Sequence, residues 1–235
     1  MKRSVFLWSG GKDSANALYK IFVEKEFYVK CLLTSVSEEH ERISMHGVRT
    51  TLLDKQIMSM GFPLQKMLIP ESASMATYDS VIEERLMRFR EEGITHCICG
   101  DIFLEDLREY REKQLVKVGM KAVFPLWKID SRKLLNGFID AGFKAIVTCV
   151  DERYLDKSFC GREINNDFIN DLPENVDPCG ENGEYHSYVF DGPLFSEPVK
   201  FSKGELVYKK YKSHSTDNKD KNVENGFWFC DLLDN

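Results

Sequence analysis

Ser9-Gly10-Gly11-Lys12-Asp13-Ser14 follows the apolar run Val5-Phe6-Leu7-Trp8 and opens a helical pattern at Ala15, Leu18 and Phe22. The order is strand, glycine turn, helix. Adjacent glycines reach turn conformations that other residues avoid and leave backbone N–H groups uncovered, while a helix beginning near Asp13 adds the positive end of its dipole. Such a loop is an anion cradle. Lys12 adds a mobile cation, and the hydroxyls of Ser9 and Ser14 can donate to phosphate oxygens at either end. Asp13 repels a bare phosphate. Its uses are to cap the helix or to meet phosphate through magnesium, which suits a nucleoside triphosphate.

Working outward, residues 28–36 are apolar enough for a buried strand ending at Thr34-Ser35. A polar loop leads to His46. The spacing of Val48, Leu52, Leu53, Ile57 and Met60 then predicts a helix closed by Gly61. Residues 64–69 read as a strand, and Tyr78, Val81, Ile82, Leu86 and Phe89 as a helix closed by Gly93. Residues 94–99 form a strand tipped by Gly100-Asp101, and a helix over 104–118 precedes the strand-like Ala122-Val123-Phe124. This alternation predicts an α/β fold, a Rossmann-like parallel sheet with helices on both faces. Ligands of such sheets bind beyond the C-terminal strand ends. The glycine loop, Ser35 and Gly100-Asp101 all fall there and converge on one crevice.

Beyond Pro125 the pattern changes. Leu134, Leu135, Phe138 and Ile139 mark a helix, residues 145–150 a strand, and Ile164, Phe168, Ile169 and Leu172 a short helix. Tyr188-Val189-Phe190 and Val199-Lys200-Phe201 flank the turn signal Asp191-Gly192-Pro193 and predict a hairpin. The polar segment 212–226 is expected to be mobile, with Phe227-Trp228-Phe229 returning as a last strand. The expected division is a phosphate-loop domain over 1–124 and a smaller mixed α/β domain over 125–235.

Of the 235 residues 43% are hydrophobic, enough for a sizeable core, and no apolar run approaches the roughly 18 to 20 residues that span a bilayer. The seven cysteines include no C-x-x-C pair and suit a reducing cytosol, so a cytoplasmic protein with no membrane partner is expected. Cys97 and Cys99 are expected in the core, and Cys179 in a tight turn. A net charge of -6 argues against general nucleic-acid binding, and the lysines of 200–221 read as a solvated face. Residues 167–184 hold six carboxylates and no lysine or arginine, punctuated by Pro178, Gly180 and Gly183, which indicates a fixed loop. Within it Pro178-Cys179-Gly180-Glu181-Asn182-Gly183-Glu184-Tyr185-His186 brings together two carboxylates, an amide, a thiol and an imidazole. Spacing alone leaves two readings: a site for magnesium, a cationic substrate or proton transfer, or a turn whose polar groups satisfy its own backbone.

Other phosphate loops do not fit residues 9–14. A Walker A loop requires glycine where Phe6 stands, and the dinucleotide fingerprint fails at Asp13. The loop resembles the pyrophosphate loop of the ATP pyrophosphatase (adenine nucleotide alpha hydrolase-like) superfamily. Nearly the whole chain resembles the diphthine-ammonia ligase branch. The pieces that carry this are the loop itself, His46-Gly47-Val48-Arg49, Cys99-Gly100-Asp101-Ile102, Tyr110-Arg111 with Pro125-Leu126-Trp127, and Gly180-Glu181-Asn182-Gly183-Glu184-Tyr185-His186 leading into Asp191-Gly192-Pro193.

The resemblance implies ATP binding at Ser9, Gly10, Gly11, Lys12, Asp13, Ser14, Ser35, His46, Gly100 and Asp101, with magnesium at Asp13 and Asp101. It implies catalysis by Lys12, Asp13, Glu181 and Glu184, and a second-substrate site at Glu181, Asn182, Glu184 and His186. The implied reaction adenylates a carboxylate with release of pyrophosphate, after which ammonia displaces AMP. The implied partners are ATP, ammonium and a carboxylate substrate, diphthine on elongation factor 2 in the family reaction. A tRNA-modifying or other adenylating ATP pyrophosphatase and an ATP-binding sensor without turnover are the alternatives, and homo-oligomerisation stays open.

Overall fold

The computed structural model describes residues 1–44, 46–70, 73–212 and 224–234. Of the polar segment expected to be mobile, residues 213–223 lie outside those described. The first sheet comprises β1 (Lys2–Leu7), β2 (Phe27–Ser37), β3 (Arg42–Ile43), β4 (Leu64–Ile69), β5 (His96–Ile98) and β6 (Lys121–Val123). In space β4, β2, β1, β5 and β6 follow one another in parallel, and β3 adds an antiparallel stub at the end of β2. The order runs outward from β1 in both directions, so the chain reverses its progression between β1 and β5. That is the switch point at which open α/β sheets bind ligands.

Both faces are covered, and the strand period decides by which residues. Val5, Cys31, Leu33, Met67, Cys97 and Cys99 share one core cluster with Ile82, Leu86 and Phe89 of α3 (Met75–Glu91) and Leu115 of α4 (Glu105–Lys117). Their neighbours Phe6, Leu32 and Ile98 point the other way, into a cluster with Ala15 and Leu18 of α1 (Lys12–Glu24) and Leu52 and Leu53 of α2 (Thr50–Met60). Cys97 and Cys99 are thus core residues, as their strand position predicts. Gly61 ends α2 in the left-handed conformation, with φ at 70°.

The second sheet is antiparallel, in the order β8 (Tyr185–Asp191), β7 (Lys144–Asp151), β10 (Glu224–Asp234), β9 (Phe201–Lys212). α5 (Ser131–Asp140) and α6 (Asn166–Asp171) accompany it. The cluster holding Phe6 and Leu52 also contains Phe138, Val147 and Tyr188, so one core joins the two sheets.

The expected hairpin across Asp191-Gly192-Pro193 does not form. β8 pairs with β7, β9 pairs with β10, and between β8 and the chain returning from the turn only Val199 N–H donates to Phe190 O. Two contacts take the chain elsewhere. Phe143 fills the space beside Gly192, and Ser196 is held at the end of α2, its N–H and Oγ both donating to Ser59 O. The apolar alternation of β10 then draws β9 alongside, with Tyr208 packing on Trp228 and Tyr211 on Phe227 and Phe229.

Candidate active site

A crevice of about 570 Å³ opens where β1, β2 and β5 end. Its walls include Ser9, Lys12, Asp13, Ser14, Ser35, His46, Gly100, Asp101, Glu181 and His186. Those expected residues therefore meet. Gly10, Gly11 and the buried Glu184 are not among its lining residues, nor is Asn182, which is exposed.

The glycine loop is fastened from two sides. Internally, Ser9 Oγ lies 3.1 Å from Ser14 Oγ and accepts from Gly11 N–H, while Ser14 Oγ donates to Gly11 O at 2.8 Å. From the second sheet, Ser187 Oγ accepts from Lys12 N–H, and Val189 N–H donates to Gly10 O. Gly10 sits at φ +78°, where a side chain is strained and would also meet Gln56. A Cβ on Gly11 would come within 2.7 Å of His46 Cε1 and 3.1 Å of Ser187 O. The loop's glycines are therefore packed against His46 and β8, and the crevice side is left to Lys12, Asp13 and the start of α1. Gly100 serves the same end, since a Cβ there would lie 3.2 Å from Ser14 N.

Gln56 was not legible as a site residue, although a signal exists. It interrupts the apolar series Leu52, Leu53, Ile57, Met60 at a core position. Fully buried, it accepts from Trp8 Nε1 at 2.9 Å and donates Nε2 to Gly10 O at 3.1 Å and Val189 O at 2.6 Å. Gln56→Leu strands all three partners, so we expect a loss of about 3 kcal/mol in unfolding free energy by chemical denaturation, together with weaker ligand binding at the loop.

Lys12 is buried. Its Nζ donates to Asp13 Oδ2 at 2.8 Å and to Cys179 O, and lies 4.8 Å from the centre of the Tyr185 ring. Burial alone would lower its pKa, but the Asp13 carboxylate and the Tyr185 and Cys179 groups outweigh burial and keep it charged. Burial raises the Asp13 carboxyl against the pull of Lys12. Cys179, expected in a tight turn, is buried with Sγ on Ser131 O, and burial pushes its thiol upward. The residue contributes its carbonyl to Lys12.

Asp101 is ion-paired with the half-buried Arg111: Nη2 donates to Oδ1 at 3.1 Å, while Nε lies 2.7 Å from Oδ2 without making a hydrogen bond, so Oδ2 has no protein donor. Among the described residues no group of three potential ligands gathers. Asp13 is partly open to the crevice and has one oxygen beyond its bond to Lys12. It is the carboxylate that fits magnesium, an ion that keeps waters and phosphate oxygens for most of its ligands.

In the acidic loop the two glutamates part company. Glu181 reaches across to the first sheet, where Oε1 accepts from Ile102 N–H at 2.7 Å and Phe103 N–H at 3.3 Å. Burial, with Asp13 and Asp101 nearby, outweighs those bonds and its carboxyl is pushed up to about 7. Glu184 turns inward instead. Its Oε1 accepts from Asp177 N–H and Asn182 Nδ2, and its Oε2 is buried without a protein partner. Asn182 is thereby spent on the loop itself. Asp177 completes the turn by accepting from Cys179 and Glu181 N–H, so the loop satisfies its own backbone and still presents Glu181.

His46 and His186 pack ring to ring, 4.8 Å between centroids, and His46 Nδ1 is 3.0 Å from Ser187 O. Burial, with Lys12 adding to it, lowers His46 to about 4; burial, His46 and Lys12 lower His186 as well. Both are neutral at pH 7. The segment carrying His46 is anchored by Asp231 of β10, which accepts from Arg42 and Arg49, and these two cations lower its carboxyl.

Residues 1–122 match the family model described as the diphthamide synthase N-terminal domain, and residues 130–223 that of the diphthamide synthase C-terminal domain. The chain is 27% identical over 228 residues to a diphthine–ammonia ligase of Danio rerio, covering 87% of this chain and 88% of that one. Against the protein of that name from Mus musculus it is 24% identical over 229 residues, covering 87% and 85%. With the Schizosaccharomyces pombe protein of that name it shares 34% over 109 residues, 41% of this chain but 18% of that longer one. A solved U34-tRNA thiolase of Methanococcus maripaludis aligns at 20% identity over 59% of this chain and 56% of its own, with a TM-score of 0.37.

Proposed function

The chain belongs to the diphthamide synthase family, and from that premise we propose that it is an ATP-dependent ligase that converts a carboxylate to an amide with ammonia. The acceptor we assign is diphthine on elongation factor 2, on the strength of relatives named diphthine–ammonia ligase. The observation that carries the reading is the single crevice in which the glycine loop with Lys12 faces Glu181 of the acidic loop.

A carboxylate is a poor electrophile because oxide would have to leave. Attack by its oxygen on the α-phosphorus of ATP forms an acyl-adenylate and breaks the bond to the β-phosphate, so pyrophosphate departs. Lys12 and the N–H groups at the start of α1 stabilise charge growing on that leaving group. Asp13 would hold magnesium, which when bound neutralises phosphate charge. Asp101 and Arg111 shape the wall at the tip of β5. Ammonia then attacks the acyl carbon, AMP leaves with the bridging oxygen, and the nitrogen sheds a proton.

Glu181 is the group placed to take that proton. Its position at the crevice and its carboxyl near neutrality fit a general base. Glu184 builds the loop that presents Glu181, and its unpartnered Oε2 offers a buried acceptor to a donor such as ammonium or water. The neutral imidazoles of His46 and His186 add no charge beside Lys12.

If Glu181 is the base, amide formation rises as pH passes upward through about 7, because the working form is the ionised one. Glu181→Gln keeps the acceptor for Ile102 and Phe103. We expect roughly 100-fold slower amide formation, near-normal ATP affinity and loss of that pH limb, read from rates between pH 6 and 8.5 at a constant concentration of free ammonia. An unchanged limb in the variant assigns the base elsewhere. The reaction class is tested by incubating the protein with ATP, ammonium and diphthine-bearing elongation factor 2. AMP and pyrophosphate with an amide on the acceptor support ligation; ADP and phosphate refute it.

A further inference from the structure

We propose that Arg111 receives the acceptor carboxylate, which makes the wall beyond β5 the acceptor subsite of the crevice. The proposal rests on the ligase reading above and adds where its second substrate sits. Among the described residues that line the crevice only Lys12 and Arg111 are lysine or arginine, and the imidazoles of His46 and His186 are neutral. Two anionic substrates thus have two cations to divide between them. Lys12 belongs to the glycine loop and is tied there to Asp13 and Cys179 O. Arg111 projects from α4 and has no part in that cradle.

Its guanidinium is arranged for one carboxylate. Nη2 and Nε face Asp101, which fixes the plane of the group from its inner edge. Nη1 makes no hydrogen bond to a described residue and, unlike Nε, is not closed off from solvent. The side chain as a whole is 23% exposed. Nη1 and the second N–H of Nη2 form the outer fork, the geometry that takes both oxygens of a carboxylate. Charge favours that ligand over phosphate, because Asp101 and Glu181 stand close by and oppose a group with several negative charges. The position also suits the chemistry. Ile102 N–H, next in the chain to Asp101, donates to Glu181 Oε1 at 2.7 Å, so Arg111 and the proposed base flank one spot. On the other side of Asp101, Gly100 packs on the start of α1, where a Cβ would lie 3.2 Å from Ser14 N. A carboxylate on Arg111 therefore sits between the phosphate cradle and the base. One of its oxygens bonds to the α-phosphorus as pyrophosphate leaves. The other stays on Arg111, takes the negative charge when ammonia adds to the acyl carbon, and returns it as AMP departs.

The test compares binding of elongation factor 2 bearing diphthine with binding of the same factor bearing diphthamide, the carboxylate and the amide, with α,β-methylene-ATP filling the nucleotide site. The wild type is expected to bind the carboxylate form about tenfold or more tightly than the amide form. Arg111→Gln should remove that preference by weakening the carboxylate form alone, and should leave affinity for α,β-methylene-ATP unchanged. An arginine that only supports the fold would weaken both forms alike or neither. A preference kept in Arg111→Gln therefore overturns the proposal, and so does a selective loss of nucleotide affinity, which would make Arg111 a phosphate ligand. Asp101→Asn/Arg111→Gln removes both charges together and strands no buried carboxylate, so it decides the matter if the single variant does not fold. Release of AMP and pyrophosphate by the wild type, with the diphthine-bearing factor and ammonium, reports separately on the ligase reading. A wild type that makes the amide but shows no preference sinks this assignment alone; one that makes no AMP and binds neither form sinks both.

Discussion

Gly11→Val is expected to abolish ATP binding, with at least about a 100-fold loss of affinity by calorimetry. Gly11 is not in a left-handed conformation; its φ is -91°. Space rather than strain demands the glycine. A β-carbon would sit 2.7 Å from His46 Cε1 and 3.1 Å from Ser187 O. The imidazole is the far end of a side chain, but Ser187 O belongs to the backbone of β8, two sides of which are already committed to the sheet and the loop. Valine therefore forces the loop away from β8, which breaks the bond from Lys12 N–H to Ser187 Oγ and tilts the start of α1. The overpacking should also cost about 1–3 kcal/mol of stability. Unchanged ATP affinity in a folded Gly11→Val protein would place the nucleotide elsewhere.

Lys12→Met carries the next largest expectation. Methionine keeps the length and packs against Tyr185, so the hydrocarbon part of the side chain is replaced while its charge is removed. Because Lys12 is held charged by Asp13 and sits at the loop, its contribution should grow as pyrophosphate separates. Loss of one such preorganised donor costs about 100- to 1,000-fold in the chemical step. The rate of AMP formation should fall by that factor while the KM for ATP moves much less, a split that a merely structural lysine would not give. A large rise in KM with kcat intact would make Lys12 a binding residue only.

Both substitutions lie in the segment that was most legible. The strand-glycine-helix order of residues 5–22 could be read because each signal is local: an apolar run, two glycines and a helical period. The alternation of strand and helix patterns over residues 5–124 likewise foretold a sheet covered on two faces. What the chain withheld is what depends on distant partners. Asp191-Gly192-Pro193 carries the chemistry of a hairpin turn, yet Phe143 and Ser59, far away in sequence, decide where the chain goes next. Glu181 and Glu184 are alike as sequence; Ile102 and Phe103 draw one to the crevice, and the backbone of Asp177 draws the other inward. Asp101 reads in the sequence as a free carboxylate, and Arg111, ten residues on, forms an ion pair with it that no local signal announces. Gln56 does carry a local signal, since a polar group at a core position of a helix must find buried partners.

In the proposed reaction this crevice joins the acceptor carboxylate to the α-phosphorus of ATP. Oxygen-18 in the acceptor carboxylate tests it most directly. Attack by that carboxylate places one of its oxygens in the bridge to phosphorus, and departure of AMP after ammonia attacks carries the oxygen away. Mass spectrometry of the products should therefore find one oxygen-18 in AMP, none in pyrophosphate, and the other retained in the amide. Label in inorganic phosphate, or AMP formed without label, would contradict the account.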